Sequence, residues 1–478
     1  MNELNKSLGM FGLIAMGAAG VLGTSWIYTN GEFFAAYGAG GEIFGLIIGA
    51  VLAACVASAY AELASRYPRA GGEIVYAFVA FGRPTAFVAG WLLIGAYISS
   101  LAFYVAAAGG LLARVLPAIE TGALYTLAGE TIYAPVLAIG AALAVAVYAI
   151  NRAGLRLGSS VQILLFVAML LIGLGLTVAG FGHGQVENFW PAYAADGAPI
   201  ADTLRFVLPA LTFLTGFSLI GMLAEDAHLS PRRIGVAVVT TVVLAGAFYV
   251  VVLTASAWII PWQRTATLEQ GTIDAYRMAG FPLLSWGAYA IALLGLLTSF
   301  IALFVASSRV MLALARAGIF PRVFAQVDAK RGTPDAALLF TLVLVLALGW
   351  LGEAALTWFL DTGGIYIGLA WLLAVASLYR IRSQSPHTKV PYRVRWLFLP
   401  AIGALAATAI IIATLLPGTG MSLIWPHEYL ILLAWLVLGG LIYRLAPRAM
   451  RHEEALHALV GEMPPAEHSR ETDKARDR

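Results

Sequence analysis

The sequence predicts an all-α membrane protein with about twelve transmembrane helices. Of its 478 residues, 60% are hydrophobic and 12% are charged, and the mean hydropathy is +0.85. Soluble globular domains contain about 25% charged residues. The apolar segments reach the ~20 residues that a helix needs to cross ~30 Å of hydrocarbon, and they lack the alternating pattern of a barrel strand.

Twelve apolar segments lie between charged or proline-rich breaks, and each predicts one span. In chain order they cover residues 9–36, 41–64, 84–112, 133–150, 158–181, 204–226, 234–261, 283–314, 335–352, 357–379, 397–416 and 428–446. Residues 1–8 precede the first span. Residues 447–478 form a tail of mixed charge, which we expect at the cytoplasmic side.

Basic residues are distributed unequally among the predicted loops. With the N-terminus in the cytoplasm, 24 Lys and Arg residues lie in cytoplasmic segments and four lie on the other side. This asymmetry is typical of the positive-inside rule. It predicts a multi-pass protein of the cell inner (plasma) membrane with both termini in the cytoplasm. The net charge of +3 therefore reflects topology, and no nucleic-acid partner is predicted.

The first span contains several residues of low helix propensity at a depth where lipid offers no hydrogen-bond partner to free backbone groups. It reads GLIAMGAAGVLGTSWIY, with Gly20, Gly23, Thr24 and Ser25 in its second half. Glycine costs ~1 kcal/mol relative to alanine in a helix. Irregular backbone at membrane depth is tolerated only where it lines a cavity or is covered by protein. Close helix packing through small residues is the other interpretation of these glycines.

A second interrupted span lies five spans later. Span 6 carries Pro209, Gly216, Ser218 and Gly221 inside an apolar segment. This spacing is expected if spans 1–5 (residues 9–181) and spans 6–10 (residues 204–379) form two inverted halves, with two further helices in residues 397–446. In such folds the substrate lies between the breaks, where free amides face an anionic group and free carbonyls a cation. The arrangement suits a zwitterion.

Four longer motifs resemble the amino acid–polyamine–organocation (APC) permeases. They are YAELASRYPRAGGEIVYAFVAFGRPTAFVAGW, GFSLIGMLAEDAHLSPRRI, SSRVMLALARAGIFPRVFAQVDAKRGTP and TKVPYRVRWLFLP, which begin at residues 60, 216, 307 and 388. The resemblance extends from about residue 9 to residue 448. It implies a LeuT-like fold of twelve helices with a five-plus-five inverted repeat, alternating access, and uptake or exchange of amino acids or related amines.

The resemblance also implies a binding site. The amides of Gly23, Thr24 and Ser25 would hold a substrate carboxylate, and carbonyls of residues 213–218 would receive its amino group, with Phe217 covering the site. The predicted substrate-binding residues are Gly20, Gly23, Thr24, Ser25, Phe213, Gly216, Phe217 and Ser218. Two of them depart from the family pattern, because Ser25 stands where a second glycine is usual and Ser218 where many members have an acidic or other polar residue.

Three residues are candidates for coupling or gating. Glu225, at the cytoplasmic end of span 6, is either a protonatable gate or an interfacial charge paired with the loop arginines. Ser299 and Ser307 of span 8 could ligate sodium, as hydroxyls of that helix do in sodium-coupled relatives, or could bond the carbonyls of their own helix. Apart from H⁺ or Na⁺ as a coupling ion, no metal or cofactor is predicted.

These features predict a secondary active transporter, an ion-coupled symporter for a neutral amino acid. An amino acid or amine exchanger without ion coupling is the alternative. No acidic or basic residue occurs in the middle of spans 3, 6, 8 or 10, which favours a neutral substrate. The spans contain no H-E-x-x-H motif and no paired aspartates, so a membrane-embedded enzyme is not predicted. The expected partners are the amino acid and membrane lipid.

Overall fold

In the described part of the chain, all regular secondary structure is helical apart from one short β-hairpin. The computed structural model describes residues 9–69, 71–153, 156–224, 227–386, 388–419, 422–446 and 450–460, and the side chains of Ser25 and of residues 156–161 lie outside that description. The predicted all-α class is therefore correct for the helices and incomplete for the hairpin.

The helices of the first half run from the first apolar segment to the end of the fifth. They are α1 (Met10–Val21), α2 (Ser25–Tyr28), α3 (Asn30–Arg66), α4 (Glu73–Phe81), α5 (Arg83–Val115), α6 (Ala134–Ala153) and α7 (Arg156–His183). The second half and the C-terminal region contain α8 (Pro199–Phe213), α9 (Leu219–Leu223), α10 (Pro231–Ile259), α11 (Trp262–Thr265), α12 (Thr272–Met278), α13 (Pro282–Arg316), α14 (Asp335–Gly349), α15 (Leu356–Gln384), α16 (Phe398–Leu415), α17 (His427–Leu445) and α18 (His452–Val460).

Ten helical segments in the described residues are long and apolar enough to cross a membrane, judged by length and composition alone. They are α3, α5, α6, α7, α8 with α9, α10, α13, α15, α16 and α17. Two shorter apolar helices, α1 and α14, lie where the first and ninth spans are predicted. The exact number of twelve spans and the inverted repeat stay predictions.

Helix α3 contains the boundary between the first two predicted spans. Gly38 inside it has φ 70° and ψ 164°, which is not helical. A side chain at this position would approach the Ala192 carbonyl to 2.8 Å. The kink separates residues 30–37 from residues 39–66, and it lies between the predicted spans 9–36 and 41–64.

The β-hairpin joins α5 to α6. Strands β1 (Ala123–Leu127) and β2 (Glu130–Tyr133) pair antiparallel, with Thr126 opposite Thr131. Ala128 (φ 49°) and Gly129 (φ 93°) form its turn. Positive φ at both central residues is the geometry that two-residue hairpins favour. The strands are short and mostly exposed, so they lack the periodic apolar signal by which the helices were predicted.

The most buried helices lie around the two interrupted spans. The apolar windows of α5 and of α8 with α9 are 94% and 100% buried, whereas those of α6 and α17 are 22% buried. The exposed faces of α7 and α17 carry large apolar side chains, namely Leu164, Leu171, Leu174, Val178, Leu433 and Leu436. A bilayer would cover such a surface, since water-soluble proteins seldom expose apolar patches of this kind.

A buried ion pair anchors the segment between α15 and α16. Arg382 donates two hydrogen bonds to the Glu62 carboxylate, of which the one from Nε to Oε1 measures 2.7 Å. The amide of Val394 donates to Glu62 Oε2 at 2.7 Å. The pair therefore ties the end of α3 to the end of α15 and to the segment that follows it.

Candidate functional site

The first helix stops within the predicted first span. Helix α1 ends at Val21, and Leu22 has φ −75° and ψ 78°. The Gly23 amide bonds the Val21 carbonyl at 2.8 Å and not the carbonyl four residues back, which belongs to Ala19. We call residues 22–24 the first break.

Side chains from neighbouring helices satisfy most of the carbonyls that this break releases. Ser299 Oγ on α13 donates to the Ala19 carbonyl at 2.8 Å, and the Tyr249 hydroxyl on α10 donates to the Val21 carbonyl. Trp26 Nε1 donates to the Gly23 carbonyl at 2.7 Å. Because these three carbonyls have specific side-chain partners, the interruption is built into the packing of α1, α10 and α13.

Thr24 is the exception within the first break. It is fully buried, and its hydroxyl has no hydrogen-bond partner among the described residues. The same part of the chain shows no backbone acceptor for its amide. An unpaired buried donor costs about 1–3 kcal/mol, so Thr24 presents a donor that a ligand could satisfy.

The second break lies between α8 and α9. Helix α8 ends at Phe213, Leu214 has φ −93° and ψ 8°, and residues 215–218 form a 3₁₀ turn before α9 begins. Thr215 Oγ1 donates to the Thr212 carbonyl at 2.6 Å, and Thr212 Oγ1 donates to the Leu360 carbonyl on α15 at 2.8 Å. The hydroxyls of Thr212 and Thr215 thus donate to backbone carbonyls of α8 and of the neighbouring α15.

The second break packs against the last turn of α1 through glycine. A side-chain carbon at Gly216 would overlap backbone atoms of Gly20 and Val21. On the opposite side of the first break, a side-chain carbon at Gly295 of α13 would overlap the Gly23 carbonyl. Backbone therefore packs directly on backbone at the centre of the molecule, which only residues without a side chain allow.

A narrow cavity of about 20 Å³ lies between the breaks. Its lining contains no charged side chain and consists of Gly20, Val21, Gly23, Ser100, Phe103, Tyr104, Thr212, Phe213, Thr215, Tyr249, Leu303 and Leu360. A volume of this size holds about one water molecule. The cavity is therefore too small for an amino acid, which would enter only after the helices around it move apart.

The structure brings most of the predicted substrate-binding residues together. Those at or beside the cavity are Gly20, Gly23, Thr24, Phe213 and Gly216, while Ser25 begins α2. Phe217 packs away from the cavity lining, on the rings of Tyr60 and Trp371 at 5.2 Å each, and Ser218 lies 3.1 Å from the Tyr97 hydroxyl. Their roles in binding stay predictions.

The predicted coupling residues are not at one place. Ser299 donates to the Ala19 carbonyl beside the first break. Ser307 lies eight residues further along α13, which is about 12 Å at 1.5 Å per residue. Its hydroxyl lies 3.1 Å from the Thr341 hydroxyl of α14. Glu225 lies outside the described residues. In the part of the chain that is described, no group of three or more His, Cys, Asp or Glu side chains could hold a metal ion.

Tyr104 and Tyr249 are site residues that the sequence analysis did not identify. Both lie in apolar spans that contain other hydroxyl residues, such as Ser100 in span 3 and Ser256 in span 7, so no signal in the sequence set either tyrosine apart. Nothing in the sequence indicated that either would reach the first break from α5 or α10. The buried carboxylate of Glu73 in α4 was likewise not identified.

A family model described as an amino acid permease matches residues 8–438. The chain belongs to the amino acid permease family. The predicted resemblance to the APC permeases is confirmed, and the named relatives are permeases and transporters rather than enzymes. Its apolar helices agree with this, and the permease is a multi-pass membrane protein.

Named relatives cover most of the permease. It is 28% identical to an uncharacterized transporter of Mycobacterium tuberculosis over 354 residues, which are 73% of this chain and 74% of the relative. It is 23% identical to the methylthioribose transporter of Bacillus subtilis, over 93% of this chain and 94% of the relative. The branched-chain amino acid permease BcaP of Lactococcus lactis is 21% identical, over 84% of this chain and 87% of the relative.

Proposed function

We propose that this permease carries a neutral amino acid across the membrane by alternating access, with the substrate bound between the two breaks. The observation that carries the proposal is the contact of two interrupted apolar helices around a cavity without charged side chains. Irregular backbone at membrane depth is tolerated only where it lines a cavity or is covered by protein, and in inverted-repeat transporters discontinuous helices form the substrate site.

The polar groups of the breaks suit the two ends of an amino acid. The unpaired amide and hydroxyl of Thr24 would receive the carboxylate. The last carbonyls of a helix have no partners within that helix. Those of residues 210–212 accept hydrogen bonds from Leu214 and Thr215. The Phe213 carbonyl at the end of α8 would therefore receive the ammonium group. In a site shielded from water, both contacts are stronger than they would be in solvent.

The side chains around the cavity favour a neutral substrate. Ser100, Thr212 and Thr215 provide hydroxyls, and Phe103 and Phe213 provide aromatic rings. A charged substrate side chain would meet no opposite charge in this lining, and burying an unpaired charge is costly. We therefore propose a small or medium neutral amino acid. The named substrates of the relatives differ, so the lining of this chain is the better guide.

We propose ion-coupled uptake, with exchange of amino acids or amines as the alternative. Sodium coupling would use Ser299, since its hydroxyl already contacts the Ala19 carbonyl at the first break. A sodium ion would have to separate these two atoms, which are bonded at 2.8 Å. Proton coupling needs no such space, and it is the form that we favour.

We further propose twelve spans in two inverted halves, in an inner (plasma) membrane with both termini in the cytoplasm. The support is the position of the breaks, which interrupt the first and the sixth apolar segments, together with the 24 basic residues on one side and four on the other. Inverted repeats place their discontinuous helices at corresponding positions of the two halves.

Transport by the purified protein in lipid vesicles tests the proposal. Uptake of a labelled mixture of the twenty amino acids should saturate with concentration and should accelerate when unlabelled amino acids are present inside. Stabilisation of the purified protein against heat by single amino acids would then identify the substrate, because a ligand of the folded state raises apparent stability. Currents that never saturate would reject a carrier in favour of a channel.

A further inference from the structure

We propose that Glu73 is the proton-carrying group of this permease, and that its protonation is linked to closure of α4 against the second break. The proposal rests on the proposed transport function and adds the coupling ion to it. Glu73 is the first residue of α4, a short helix between α3 and α5 that is not among the candidate spans.

A glycine turn lays the start of α4 on α9. Gly71 has φ 120° and Gly72 has φ 45°, which are backbone conformations that other residues seldom adopt. A side-chain carbon at Gly72 would come within 3.5 Å of Met222, and one at Gly221 within 3.1 Å of the Tyr76 hydroxyl. The turn therefore brings the first residues of α4 into contact with the helix that continues the second break.

The Glu73 carboxyl is enclosed without a full set of partners. Glu73 is 1% exposed, and neither carboxylate oxygen makes a hydrogen bond of ordinary geometry among the described residues. The hydroxyls of Tyr60 and Tyr76, which are also buried, are unpaired by the same criterion. A buried carboxyl with a few hydroxyls around it is stable when neutral and costly when charged.

The groups facing Glu73 are hydroxyls from four elements. They are Tyr60 of α3, Tyr76 of α4, Tyr97 of α5 and Ser218 of the second break. Helices α13, α15 and α18 also pack against α4, and in the described part of the chain they bring no charged group to this carboxyl. Without a neighbouring cation, a proton is the available means of neutralising the charge.

This cluster is connected to the second break. The Tyr97 hydroxyl lies 3.1 Å from Ser218 Oγ, and Ser218 is the last residue of the 3₁₀ turn. Phe217, next to it, packs on the Tyr60 ring at 5.2 Å. A change in the protonation of Glu73 would therefore reach the segment proposed to bind substrate through one or two side-chain contacts, those of Tyr97 with Ser218 and of Tyr60 with Phe217.

The direction of the pH effect follows from burial. Burial raises the pKa of Glu73 from 4.5 to about 7, although the Tyr60 and Ser218 hydroxyls lie close enough to oppose the rise in part. A carboxyl with a raised pKa stabilises the enclosed state fully below its ordinary pKa. This contribution is lost as the pH rises through the raised value. Acid should therefore favour the closed form over the range from about pH 4.5 to about pH 7.

The proton balance is simple. A proton from water on the outer side, arriving from the cavity between the breaks, forms an O–H bond at a Glu73 carboxyl oxygen while α4 is closed on α9. When α4 separates from α9 on the cytoplasmic side, water from that side reaches the carboxyl, the O–H bond breaks and the proton passes to that water. The carboxyl returns ionised, and no other bond changes.

Vesicle transport by Glu73→Gln tests the proposal with uptake of the labelled mixture of twenty amino acids. Glutamine keeps the shape of the side chain and cannot release the proton. Exchange at equal pH on both sides should stay within about twofold of wild type, while stimulation of uptake by an acid outer solution should be lost. Proton entry that accompanies uptake, followed with a pH-sensitive dye inside the vesicles, should be lost as well.

Glu42→Gln provides the matched control. Glu42 is also fully buried and its carboxylate also lacks hydrogen bonds among the described residues, but it lies on α3, in the stretch that packs against the first turns of α8. This variant should keep both acid stimulation and proton entry. Loss of acid stimulation in Glu42→Gln and Glu73→Gln alike would contradict the assignment to Glu73.

Failure of this inference and failure of the proposed transport function would give different results. Saturable uptake by wild type together with full acid stimulation in Glu73→Gln would overturn this inference and leave the proposed transport function intact. Absence of saturable uptake in wild type would contradict the transport function itself. Should Glu73→Gln fail to fold, Glu73→Asp serves as the second variant, because the shorter side chain should shift the midpoint of acid stimulation. An unchanged midpoint would also overturn the proposal.

Discussion

Gly216 makes the contact between the two broken helices, and its replacement has a clear expected effect. In Gly216→Ala the new methyl group overlaps the backbone of Gly20 and Val21, so the breaks must separate. We expect a destabilisation of about 1–3 kcal/mol and loss of stabilisation by amino acids. Both are measured by thermal unfolding in detergent.

Gly440→Ala is the control. Nothing lies within 4 Å of the added methyl group, so the stability and its increase by amino acids should both stay near wild type. Equal behaviour of the two variants would contradict the proposed contact.

Ser299 satisfies a carbonyl that the first break releases, and this role is separable from sodium binding. Ser299→Ala leaves the buried Ala19 carbonyl without its partner. We expect a loss of about 1–3 kcal/mol of unfolding free energy in a buffer without sodium.

Ser307→Ala is the comparison, since Thr341 keeps its own bond to the Ala337 carbonyl at 3.0 Å, and its loss should be smaller. If Ser299→Ala were as stable as wild type without sodium but lost stabilisation by added sodium, the hydroxyl would be an ion ligand instead.

At the scale of single residues, the sequence identified the positions whose backbone is unusual. Gly20, Gly23 and Gly216 stood out because glycine is costly within an apolar helix and needs a reason to be there. The partners of that backbone were predictable only in part. The resemblance made Ser299 of span 8 a candidate as a sodium ligand, whereas Tyr249 was not identified, because one sequence carries no record of which distant helices pack together.

The elements were predicted best where a periodic or continuous apolar signal exists. Long helices such as α5, α10 and α13 correspond to predicted spans, and both breaks lie inside the predicted spans 1 and 6. The β-hairpin and the approach of α4 to α9 depend on turn geometry and tertiary contact, which apolar patterns do not encode. Positive φ at Ala128 and at Gly72 is visible only in the folded chain.

The ion pair between α3 and α15 predicts a large effect of one arginine. Arg382→Ala leaves the Glu62 carboxylate buried with only the Val394 amide as partner. Breaking a buried pair typically costs about 3–5 kcal/mol, because one charge stays behind without its counter-charge. The midpoint of thermal unfolding should fall accordingly, and the segment between α15 and α16 should become sensitive to trypsin.

The nearby Arg380 is a suitable control for this pair, since it is exposed at the end of the same helix. Arg380→Ala should change stability by no more than about 0.5 kcal/mol. If both variants lost the same small amount, the pair would contribute no more than a surface contact.

For the whole molecule, the fold class and the family followed from the sequence, while the size of the cavity did not. Composition and span length exclude a soluble fold, and four motifs point to one family of transporters. Whether the breaks enclose a cavity of 20 Å³ or an open site depends on how the helices pack in one state of a moving protein. Only the folded chain shows that the cavity is too small for an amino acid.

The proposed orientation is a property of the whole molecule, and the single cysteine makes it testable. Replacing the half-buried Cys55 by serine gives a background without thiols. With both termini in the cytoplasm, Thr126→Cys in the exposed hairpin should react with a membrane-impermeant maleimide on intact cells, because α5 ends on the outer side. Gln384→Cys at the exposed end of α15 should react only after permeabilisation. Reaction in the reverse order would show that the basic residues lie outside, against the positive-inside rule, and would invert the direction of the proposed proton movement.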